Sequence, residues 1–100
     1  MATRNKHRGS NFDRFLKAQG MYEEVQAAAV KRAVAEAIGD GMLRSGLSKQ
    51  AMAKRMRTSR SQLDRVLDPD CTAVQLDSVV RAAAATGQKL HISFKKTIRA

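Results

Sequence analysis

Apolar positions fall into five stretches of helical period and one that alternates. Val30, Val34, Ile38 and Met42 recur every four residues with Ala33 and Ala37 beside them, while Arg32, Glu36 and Asp40 lie elsewhere around the turn. That spacing predicts an amphipathic helix over residues 22–45, ended by Gly46. Gly39 and Gly41 are its weak point, since an interior Gly costs about 1 kcal/mol relative to Ala. Upstream, Ser10-Asn11-Phe12-Asp13 has the form of a capping box. It predicts a short helix with Phe12, Phe15 and Leu16 on one face, stopping at Gly20.

Three shorter helices follow. Ser48 caps residues 49–56, with Met52, Ala53 and Met56 inward. Ser59 caps the next, with Gln62 at the capping-box position and Leu63, Val66 and Leu67 on the buried side, until Asp68-Pro69-Asp70 stops it. Residues 76–86 form the last, with Leu76, Val79, Val80 and Ala83 inward and Gly87 at its end. Gln75 is a poor cap for it, and Thr72 is an alternative if the helix starts earlier. Over residues 89–95 the period changes to two: Leu90, Ile92 and Phe94 alternate with polar neighbours, which predicts a half-buried strand. A single strand needs a pairing partner, so it is expected to pair across a dimer or with another protein.

Composition narrows the class. One hundred residues allow one domain, with residues 1–9 expected as a disordered basic arm carrying Arg4, Lys6 and Arg8, and residues 96–100 as a tail. The formal charge is +10, which attracts polyanions and makes a nucleic acid or an anionic membrane the first partner to test. Four aromatic residues, none of them Trp, argue against RNA-binding sheets that stack bases on rings. One cysteine, Cys71, excludes an internal disulfide and fits a reducing cytoplasm. No apolar run approaches the ~20 residues of a membrane span, and no signal-peptide core follows the basic start.

Catalytic and cofactor chemistry find no foothold. His7, His91 and Cys71 lack metal-ligand spacing, and Gly39-Asp40-Gly41 follows no strand and lacks the third Gly of a phosphate-binding fingerprint. The nine carboxylates form no nameable acid–base pair. Neither an enzyme nor a cofactor is expected.

The basic cluster is more specific. Between Arg44 and Arg65 lie seven basic residues (Arg44, Lys49, Lys54, Arg55, Arg57, Arg60 and Arg65) against one acid, Asp64. Most such runs are solvated faces. These charges, however, sit on two short helices joined by a three-residue turn. That is the spacing of a helix-turn-helix, whose second helix enters the DNA major groove.

The segments "LSKQAMAKRM" and "TSRSQLDRVL", over 47–56 and 58–67, resemble the helix-turn-helix of the phage Cro and repressor superfamily, also called XRE-type. "LDSVVRAAAATG", over 76–87, is similar to the helix that closes that domain, and the resemblance covers about residues 25–94. The stretch "TSRSQLDRVLDPD" resembles a subgroup of small bacterial regulators with the same basic start, "GSNFD" helix and final strand. Some of these are antitoxins of the HigA type that neutralise a toxin protein and repress their own operon.

The resemblance implies an all-α, lambda-repressor-like bundle with a short C-terminal strand, a helical domain over 10–88 and a helix-turn-helix at 48–67. It implies a homodimer on double-stranded DNA, acting as a transcriptional repressor or, alternatively, as an antitoxin. Arg60, Ser61 and Arg65 would read bases, and Gln62 would either touch a base or finish the cap, with the cap ahead. Lys49 matches a phosphate-contacting position. Ser48 and Thr58 can also donate to phosphates, although capping and turn roles come first. Asp64 is expected to pair with Arg60 or Arg65. Relatives usually carry Gly where this chain has Arg57, so either the turn differs or Arg57 accepts a left-handed backbone and reaches a phosphate.

Overall fold

The structure, a computed structural model, describes the backbone of residues 2–97 and the side chains of residues 11–97. The fold is all-helical: α1 (Ala2–Ser45), α2 (Lys49–Met56), α3 (Arg60–Leu67) and α4 (Leu76–Ala85). Expectations for the side chains of Arg4, Lys6 and Arg8 lie outside the described residues. Among those residues, no helix is long and apolar enough to cross a membrane.

The N-terminal half differs from expectation. Neither a start at Ser10 nor a stop at Gly20 interrupts the chain, and α1 is a single helix of 44 residues. A glycine ends a helix by taking positive φ and letting the next amides bond back. Gly46 and Gly87 do so, with φ of 66° and 74°, whereas Gly20 is not among the positive-φ residues. Gly39 and Gly41 do not break the helix either. Gly41 has a packing role instead: a Cβ there would lie 2.6 Å from Gln88 Nε2 and 2.8 Å from Thr86 Cβ.

The core joins the C-terminal third of α1 to the other three helices. Ile38 and Met42 of α1 meet Met52, Ala53 and Met56 of α2, Leu63 and Val66 of α3, and Ala82 and Ala83 of α4. Met52, Met56, Leu63 and Val66 are the largest side chains wholly withdrawn from solvent. The stripe of α1 that enters this core is Lys31, Ala35, Ile38 and Met42. Val34 is half-buried, and Val30, Ala33 and Ala37 are exposed. The reason is helical geometry. Four residues advance about 400°, so a strict every-four stripe walks some 40° around the helix at each step, and Val30 ends about 120° away from Met42. On α4 the inward residues are Val79, Ala82 and Ala83, while Leu76 and Val80 remain exposed. Gln75 precedes α4 without a side-chain cap bond, and the helix does not start early at Thr72.

The C-terminal segment forms no strand in the single chain. Residues 88–97 have no regular secondary structure, because a ladder needs a second strand and no described segment offers one. Leu90 packs against the core, but Ile92 and Phe94 are exposed, Phe94 almost completely.

Candidate nucleic-acid interface

Local chemistry fixes α2 and α3 at both ends. Ser48 Oγ accepts from the Ala51 amide and Ser59 Oγ from the Gln62 amide, each at 3.1 Å, so both serines satisfy orphan N–H groups at helix starts. Only the Gln62 amide takes part in the box at Ser59; its side chain is exposed. Between the helices, Arg57 lies in the left-handed region at φ 55°, ψ 49°. Its amide donates to Lys54 O at 3.1 Å and the Thr58 amide to Ala53 O at 3.0 Å. This is the same paired closure that Gly46 and Gly87 make at the ends of α1 and α4. The turn is therefore of the glycine type with arginine in it, and Arg57 accepts the strain. Half-buried Thr58 completes the turn through its backbone.

The far end of α3 is held by a residue that the sequence reading passed over. Lys31 of α1 is buried, 3% exposed, and its ammonium reaches the last turn of α3. Nζ donates to Val66 O at 2.8 Å and Arg65 O at 2.9 Å, and also to Asp68 O. A cation at a helix C-terminus meets carbonyls with no intrahelical partner and the negative end of the dipole. The signal was present in the sequence, since position 31 falls on the stripe with 35, 38 and 42. A lysine there must find acceptors or unbalance the core.

The basic cluster separates into two kinds of residue. Arg55 Nη1 donates to Ala85 O at 2.9 Å, which closes the end of α4 and makes Arg55 part of the fold. Lys49 Nζ lies 3.1 Å from Asp64 Oδ1, so Asp64 bridges α3 to α2 instead of pairing with Arg60 or Arg65 along its own helix. Both partners are about half exposed, and such pairs contribute at most about 1 kcal/mol. The carboxylate nonetheless competes with any phosphate for Lys49. The side chains of Arg44, Lys54, Arg57, Arg60 and Arg65 make no ion pair or hydrogen bond among the described residues, and all five are exposed.

Arg60, Ser61 and Gln62 stand together on the first turn of α3, with Arg65 farther along the helix. All four are exposed, while Leu63 and Val66 anchor the opposite side in the core. Ser61 Oγ lies 3.3 Å from Ser59 Oγ. The alternating residues Leu90 and Ile92 fall elsewhere, along a groove between α1, the loop before α4 and α4 itself. Comparison with protein-family models, with curated proteins and with solved structures yielded no match.

Proposed function

We propose that the chain is a sequence-specific DNA-binding regulator of transcription that acts without chemistry, as a repressor working in a two-fold pair. The observation that carries this reading is the combination of a rigid mount with a free reading face. α3 is capped by Ser59, latched by Lys31 and seated by Leu63 and Val66, yet Arg60, Ser61, Gln62 and Arg65 all face solvent. A helix held this way can enter a major groove and keep its register. In that position Arg60 would take guanine O6 and N7 bidentately, Ser61 would bond either a base or the backbone, and Arg65 would contact a base one turn on.

Phosphate contacts fall to side chains with no internal partner, Arg57 on the turn first among them. Ser48 and Ser59 are engaged as caps, and Lys49 reaches a phosphate only by leaving Asp64. Ordered binding over a promoter would exclude polymerase, and repression follows from occupancy alone.

The experiment is selection of bound sites from random DNA by the full chain and by Arg60→Ala. The native chain should enrich a two-fold motif. Arg60→Ala should flatten one position in each half-site at a cost of about 1–3 kcal/mol per half-site. An unchanged preference at every position would remove α3 as the reading head and leave only nonspecific attraction.

A further inference from the structure

The ends of α2 and α4 meet at a recess that three arginines share. Arg55, Arg57 and Arg81 line it together with Met56, Ala84 and Ala85, and no acid lines it among the described residues. Its volume is about 370 Å³, room for a phosphate and part of what bears it. Like charges gathered around one concavity repel each other unless something compensates them.

Helix ends are the first candidates for that compensation, since their free carbonyls attract cations. The carbonyls at the end of α4 are already served. Those of Ala82 and Ala83 accept from Thr86, that of Ala83 also from the Gln88 amide, that of Ala84 from the Gly87 amide and that of Ala85 from Arg55 Nη1. At the end of α2, the carbonyls of Ala53 and Lys54 take the Thr58 and Arg57 amides. Arg55 therefore belongs to the fold, but the guanidiniums of Arg57 and Arg81 close nothing. Arg81 has a weak partner in Asp77, 3.7 Å away and one turn back on α4, with both side chains more than half exposed. Arg57 adds an independent mark. It is the one residue other than glycine with positive φ among those described. A left-handed arginine stores strain that glycine would not, and stored strain gathers at binding sites.

We propose that this recess is a seat for a phosphate group, held by Arg57 and Arg81 over the anchored guanidinium of Arg55. A guanidinium is planar, always charged and matches two phosphate oxygens at once, so two free forks beside a fixed one suit a tetrahedral dianion. The phosphate comes either from a DNA strand or from a small phosphorylated molecule. In the first case the seat fixes the backbone next to α3, because Arg57 lies in the turn that leads into that helix. In the second it is a regulatory site whose occupant draws Arg57 away from DNA. The seat rests on the arginines and their recess, and only its DNA source rests on the reading proposed above.

The test is titration of the full chain with inorganic pyrophosphate, followed through arginine Nε–H resonances, and with a duplex of arbitrary sequence at two salt concentrations. Arg81→Gln removes one fork, Arg81→Lys keeps the charge without the fork, and Arg32→Gln removes the same charge from an exposed position on α1. Circular dichroism should show all three folded. In the native chain pyrophosphate should shift Arg57 and Arg81 together and saturate. Arg81→Gln should weaken that binding by about tenfold, with Arg81→Lys in between, whereas Arg32→Gln should stay within about twofold of native. A salt slope for the duplex that falls by about one per head in Arg81→Gln identifies the DNA strand as the source. An unchanged slope with weakened pyrophosphate binding identifies the small molecule. Arg81→Gln behaving like Arg32→Gln in both titrations, or Arg81→Lys matching the native chain, would overturn the proposal. Failure of the DNA reading shows elsewhere, as an unchanged base preference in Arg60→Ala, which no outcome at Arg81 produces.

Discussion

The ammonium of Lys31 donates to the carbonyl of Val66 at 2.8 Å, tying the middle of α1 to the last turn of α3. A buried lysine with three carbonyl acceptors meets the requirement that a buried charge be compensated, and the Arg65 and Val66 carbonyls gain a partner that they lack within α3. Lys31→Met keeps the stem and removes the donor. It should destabilise the chain by about 2–4 kcal/mol, read as a fall in denaturation midpoint with unchanged m-value. A loss under about 0.5 kcal/mol would show that the latch holds nothing.

Arg57→Gly should separate fold from binding. Relief of the left-handed strain should raise stability by about 1 kcal/mol. Loss of the guanidinium should weaken binding to all DNA sequences alike and lower the salt slope by about one per head. A variant that is more stable and binds undiminished would make Arg57 a tolerated misfit with no contact to make.

Asp64→Asn frees Lys49. Stability should fall by no more than about 1 kcal/mol, because the pair is half exposed. Affinity for DNA of any sequence should rise, with a steeper salt dependence, since a competing carboxylate has gone. Titrations at two salt concentrations check this. Unchanged affinity would mean that Lys49 makes no phosphate contact even when released.

Gly39→Ala and Gly41→Ala should act in opposite directions although they lie two residues apart. Nothing lies within 4 Å of a Cβ built at Gly39, so the change there should stabilise by about 0.5–1 kcal/mol through helix propensity. At Gly41 the Cβ meets Gln88 Nε2 and Thr86 Cβ, and overpacking should cost about 1–3 kcal/mol. Thermal melts of the two variants side by side decide it.

The helices of the bundle were legible because their signals are local. Ser48 and Ser59 sit before short amphipathic runs, and both prove to be caps. Met52 and Met56 share one face of α2, and Leu63 and Val66 one face of α3, at helical spacing, and the four are the buried centre. What escaped the sequence depends on distant partners. The bond from Lys31 to α3 spans 35 residues and that from Arg55 to Ala85 spans 30, so spacing, which does put Lys31 on the buried stripe, names the acceptors of neither residue. The pairing of Asp64 followed the approach of α2 to α3 over any rule along one helix. Phe12, Phe15 and Leu16 were correctly placed on one face of a helix, but a face says nothing of what covers it. The alternation over 89–95 predicted a strand that the described chain does not form, because alternation says nothing of a pairing partner.

The unbroken course of α1 also makes it a ruler. Pinned at Lys31 and continuous from there to its N-terminal half, it holds the exposed side chain of Leu16 about 22 Å along the helix from the latch that orients α3, and in fixed rotational phase. Inserting one residue near position 28 would lengthen that span by about 1.5 Å and turn the face of Leu16 by about 100°. Inserting seven would add about 10 Å and return the face to within about 20° of its original direction. Spacing and phase could thus be tuned separately by changes in a stretch of helix that touches neither end.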